Sequence, residues 1–68
     1  MQTVRRPSHR LTFDEAVQVW LMLWAGEFKH RIAAHFEVNV WRIYEVKEGK
    51  LHPGSEAAAA KLRGSNAA

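Results

Sequence analysis

Apolar residues recur along this chain at intervals of three and four, a period that predicts helices throughout. The first helix has a sharp start. Thr12 is a good N-cap, Glu15 three residues later completes a capping box, and Leu11 before the cap can staple onto Ala16. Asp14 and Glu15 also suit the positive end of the helix dipole, and Gly26 is a natural stop. A second helix is predicted from about Glu27 or Phe28 to Phe36, with Phe28, Ile32, Ala33 and Phe36 turned inward. Glu37, Val38 and Asn39 form a turn, and Asn39 caps a third helix that runs to about Glu48 and ends at Gly49. Residues 50–54 read as a loop. Ser55 is placed to cap a last helix, Glu56 to Arg63, which Gly64 stops before a frayed end. That helix has little apolar area apart from Leu62, so it is marginal unless it packs on something. Residues 1–10 show no apolar period and contain Pro7, which predicts an extended arm.

The first helix carries more apolar surface than one face needs. Phe13, Val17, Trp20, Leu21 and Trp24 make one stripe; Ala16, Val19 and Leu23 make a second, with Met22 between them. Either both stripes line one compact core, or one of them meets a second subunit. Trp20, Met22, Leu23 and Trp24 are the candidate residues of a homodimer interface, with the last helix as second choice. Length favours outside help. A chain of 68 residues is one small domain, and such a domain buries only about 60% of its unfolded surface. With no cysteine, neither disulfides nor thiolate metal sites can staple it. The expected organisation is a basic arm over 1–11, a helical domain over 12–52, and a loop, short helix and frayed tail over 53–68.

The stretch from Phe28 to Val46 carries the candidate function. A small residue, Ala33, lies where the third helix must cross the second; Val38 is an aliphatic just after the turn; Ile43 and Val46 share one side of the third helix. Residues 27–49 resemble the helix-turn-helix of small bacterial and phage DNA-binding regulators. The strings Ile32-Ala33-Ala34-His35-Phe36-x-Val38-Asn39 and Ile43-Tyr44-x-Val46-x-x-Gly49-Lys50 carry the resemblance. One departure is Glu37, where the family usually has Gly at the start of the turn, since that position favours positive φ. The resemblance implies an all-α fold: a three-helix helix-turn-helix core with a basic N-terminal arm and a short C-terminal helix.

It also implies a function: sequence-specific binding of double-stranded DNA by a small transcriptional regulator, most simply a dimeric repressor, in the cytoplasm on the nucleoid. The third helix would be the recognition helix, reading base edges in the major groove with Asn39, Val40, Trp41, Arg42, Tyr44 and Glu45. Arg42 suits a guanine, Asn39 an adenine, Glu45 a cytosine amino group and Val40 a thymine methyl. Lys29, His30, Arg31, Lys47, Lys50 and His52 would lie near phosphates, and the arm's Arg5, Arg6 and Arg10 would reach the backbone or an adjacent minor groove. Charge agrees in part. The net charge is +3, and residues 1–11 hold three arginines and no acid, which suits a polyanion or simply a solvated tail.

Trp41 and Tyr44 complicate this reading. They share one helical face, three residues apart, and that face should point outward. Three explanations stand: packing against DNA, a protein-binding surface, or cover by the arm or the last helix. The rival functions are therefore a protein-binding adaptor or antagonist of another regulator on the same scaffold, and a phage-type architectural, excisionase-like DNA-binding factor. Catalysis finds no support. His30 and His35 are five apart, on different faces, so they make a poor metal pair. No phosphate loop, paired-acid constellation or activated nucleophile is present, so no cofactor and no metal are expected. The apolar run Val19 to Ala25 is short for a signal core and far short of the ~20 residues that span a bilayer, so the chain reads as unprocessed, soluble and off the membrane.

Overall fold

Four helices and no strand make up the described residues of the computed structural model: α1 (Phe13–Trp24), α2 (Lys29–Phe36), α3 (Val40–Lys47) and α4 (Ser55–Ala67). The description covers residues 10–67, with side chains through residue 64. Arg5 and Arg6 of the predicted arm lie outside the described residues.

Each boundary has a local cause. At the start of α1 the Thr12 hydroxyl accepts from the Glu15 amide at 3.1 Å, while the Glu15 carboxylate accepts from the Thr12 amide at 2.9 Å. This is the capping box the sequence predicts. The first three helices all end in the same motif. A residue one or two positions past the helix enters the left-handed region, its amide bonds back to the carbonyl three residues earlier, and the next amide bonds back five. At Gly26 the bonds are Gly26 N–H to Leu23 O at 3.0 Å and Glu27 N–H to Met22 O at 3.1 Å. At Glu37 they are to Ala34 O at 3.2 Å and from Val38 to Ala33 O at 3.0 Å. At Gly49 they are to Val46 O at 3.2 Å and from Lys50 to Glu45 O at 2.9 Å. Two of these stops use glycine; the middle one forces Glu37 to φ 58°.

The core gathers Leu11, Ala16, Val17, Val19, Trp20, Ile32, Ala33, Ile43, Val46 and Ala59. Ala33 is buried on α2, and Ile43 and Val46 are buried on the inner side of α3, as the spacing predicts. Phe28 departs from prediction. It is the N-cap of α2, with extended backbone and no side-chain cap bond, and it is 74% exposed instead of turned inward. A residue before the first helical turn does not follow the helical period, so its place in the stripe says nothing about where it points.

α4 differs most from expectation. It begins at Ser55 and continues through Gly64 to Ala67. Gly64 takes no left-handed φ, so it does not act as a stop. Nor does the Ser55 side chain serve as a surface cap. Ser55 is 1% exposed, and its hydroxyl accepts a hydrogen bond from the Trp20 indole N–H at 3.1 Å. Ala59, one turn on, is fully buried. Small side chains let α4 lie close to α1, so it packs without large apolar residues. Contacts advance along both helices in the same sense: His52 meets Leu11, Ser55 meets Trp20, and the Arg63 guanidinium lies 4.9 Å from the Trp24 ring centroid. α4 is thus part of the core rather than an appendage.

This packing bears on the two readings of the first helix. Trp20 is 8% exposed and hydrogen-bonded inside the chain, so little of it is left to meet a second subunit. Met22, Leu23 and Trp24 are partly buried and pack on the same core. The extra apolar stripe is matched within the chain by α4. Among the described residues, no helix is long and apolar enough to cross a membrane.

Candidate functional site

The site is the outward side of α3 together with the start of α2. Asn39 positions it. Its backbone is extended, and its Oδ1 accepts from the Trp41 amide at 2.9 Å, which fixes the first turn of α3. With Ile43 and Val46 turned into the core, the helical period directs Trp41, Arg42, Tyr44 and Glu45 away from it. Trp41 is 63% exposed. Val40 is only partly exposed and packs against the core, so the expected thymine contact is partly withdrawn.

These side chains engage one another. The Trp41 and Tyr44 rings have centroids 5.5 Å apart at an interplanar angle of 54°. The Lys29 ammonium, from the first residue of α2, lies 5.8 Å from the Tyr44 centroid. Helices α2 and α3 therefore contribute jointly to a ledge of two rings flanked by a cation. Beside it Arg42 pairs with Glu45 at 3.2 Å. Both side chains are more than a third exposed, so the pair contributes about 0.3–0.5 kcal/mol and opens readily for a better partner. Lys50 pairs with Glu48 at 3.4 Å on an exposed surface.

Two predicted contact residues have other work. Asn39 spends its side-chain oxygen on the cap, so it cannot present both amide atoms to an adenine without releasing α3. His52 lies away from the site. It is part-buried, its Nε2 donates to the Leu11 carbonyl at 2.6 Å, and its ring meets Phe13 edge-on at 6.0 Å. A backbone at φ 53° turns it there, and a phosphate contact would break this tie between the loop before α4 and the start of α1. Arg10, His30, Arg31 and Lys47 are exposed as expected.

Sequence reasoning missed the Lys29–Tyr44 contact, because the meeting of two helices is not written in the spacing of either. It also missed the Trp20–Ser55 bond, although a tryptophan buried either in a core or in an interface calls for an acceptor. Among the described residues, no group of three His, Cys, Asp or Glu side chains is placed to hold a metal ion. No protein-family model matches the chain, and no curated protein or solved structure matches it.

Proposed function

We propose that the chain binds double-stranded DNA through α3 as a small helix-turn-helix transcriptional regulator. The observation that carries this reading is the junction of α2 and α3. Glu37 turns in the left-handed region, Asn39 caps α3, and Ala33, Ile43 and Val46 are buried, leaving Trp41, Arg42, Tyr44 and Glu45 facing outward. Set in a major groove, the first turns of α3 reach base edges, while Lys29, His30, Arg31 and Lys47 reach phosphates. Arg42 trades its weak tie to Glu45 for a guanine, and Glu45 becomes free to accept from a cytosine amino group. Occupying a promoter in this way represses without any further domain.

A single copy makes few contacts, and a two-fold pair would read two half-sites about one helical turn apart. With Trp20 buried, the candidate interface residues that helix α1 still offers a second copy are the part-exposed Met22, Leu23 and Trp24.

A second reading is favoured by one specific observation. Trp41 is largely exposed on a helix that also carries Glu45 and Glu48, a surface suited to a protein partner in an adaptor or antagonist. Selection of bound fragments from random duplex DNA at low salt, with sedimentation of the protein alongside, separates the two. A shared sequence among the bound fragments supports the regulator, and Arg42→Ala should then weaken that site by about 1–3 kcal/mol and relax base preference locally. Failure to retain any duplex overturns the regulator in favour of the adaptor.

A further inference from the structure

The polar residues at the start of α3 are largely engaged within the chain. Asn39 gives its oxygen to the Trp41 amide, and Arg42 is held by Glu45. Val40 leans into the core. What α3 presents freely is the Trp41 indole, 63% exposed and steadied from one side by the Tyr44 ring, whose own flank is occupied by Lys29. The indole N–H has no partner among the described residues, whereas the buried Trp20 has found one.

An indole offers a broad apolar face with one hydrogen-bond donor on its rim. In the major groove only thymine sets an apolar group, its C5-methyl, beside an acceptor, O4. Cytosine shows a donor there, guanine two acceptors and no methyl, adenine an acceptor and a donor. Cations suited to a duplex lie on the same two helices: Lys29 against the Tyr44 ring, and Arg31 on α2 and Lys47 on α3, both exposed. Resting on the DNA-binding reading above, we infer that Trp41 is a specificity-determining residue that reads thymine. Its ring covers the methyl and its N–H reaches O4. Tyr44 and Lys29 act as positioning residues that hold the ring upright. Sequence preference then comes from an apolar contact with a methyl group as well as from Arg42.

The test uses the full chain and the duplex selected from random DNA, with each thymine replaced in turn by deoxyuridine, which lacks only the methyl. For the unaltered chain, replacement at one position per bound α3 should weaken binding roughly four-fold, the effect of one buried methyl-sized group. Trp41→Ala should bind the thymine and deoxyuridine duplexes alike, and Trp41→Phe, which keeps a ring, should retain the discrimination at lower overall affinity. Trp41 lies outside the core, so both variants should keep the helical circular dichroism of the parent. If deoxyuridine is tolerated at every position while the duplex still binds, the thymine inference falls and the DNA reading stands. If the deoxyuridine penalty persists undiminished in Trp41→Ala, another residue reads the methyl and the inference also falls. If no duplex binds at all, both readings fall together.

Discussion

Glu37 holds φ 58° and ψ 45°, the left-handed conformation, at the point where the chain must leave α2 and enter α3. The neighbouring stops at Gly26 and Gly49 reach positive φ without a side-chain clash, but at Glu37 the Cβ crowds the following carbonyl. Two backbone bonds, from Glu37 to Ala34 and from Val38 to Ala33, keep it there, and Val38 is tucked toward the core immediately afterwards. Glu37→Gly should therefore stabilise the fold by up to about 1 kcal/mol, less whatever the carboxylate's own contacts contribute. For a domain of this size that is a rise of at most roughly 4–8 °C in melting temperature, readable by circular dichroism. An unchanged or lower melting temperature would show that the glutamate side chain more than offsets its backbone strain. This departure from the usual glycine was visible in the sequence, and so was its consequence, because a helix stop depends on a few adjacent residues.

At the scale of the element, what was legible divides along the same line. The capping box at Thr12, the cap at Asn39 and the stops at Gly26 and Gly49 are local, and the sequence alone places them correctly. The partner of α4 is not local. Ser55, Ala58, Ala59 and Leu62 do have helical spacing, but alanines bury too little area to mark a face, and Ser55 looked like a surface cap. The structure instead spends Ser55 as the buried acceptor for Trp20. Ser55→Ala leaves the indole N–H buried and unpaired and should cost about 1–3 kcal/mol, measured by denaturant unfolding. Ser55→Thr, which retains the hydroxyl, tests whether the bond matters more than the fit. A full loss with threonine as well points to the tight approach of α4 to α1. Ala59→Leu probes that approach directly: overpacking a fully buried position should cost about 1–3 kcal/mol.

Across the whole molecule, the composition of the outward face was legible by elimination, since Ile43 and Val46 had to turn inward. The bonds within that face were not, and they change its chemistry. Arg42 starts paired, Asn39 starts engaged, Lys50 shares its charge with Glu48, and His52 belongs to the contact with α1. The cations left for phosphates in the described residues near the junction of α2 and α3 are chiefly Lys29, Arg31 and Lys47. On a duplex, each phosphate neutralised contributes about −0.9 to the slope of log affinity against log salt concentration. Three such contacts predict a slope near −3 for one copy of the chain, and a two-fold pair reading two half-sites should come close to twice that. Fluorescence anisotropy of a labelled duplex across a salt titration thus reports stoichiometry as well as charge. Lys29→Ala should flatten the slope by about one contact per copy, and that lost contact weakens selected and unrelated sequences alike, because a phosphate carries no sequence. Lys29 also borders the Tyr44 ring, so a second signature is available. Because Lys29 also supports the ring, Lys29→Ala should in addition reduce the thymine discrimination of Trp41; a flattened salt slope with that discrimination intact would leave Lys29 a phosphate contact alone.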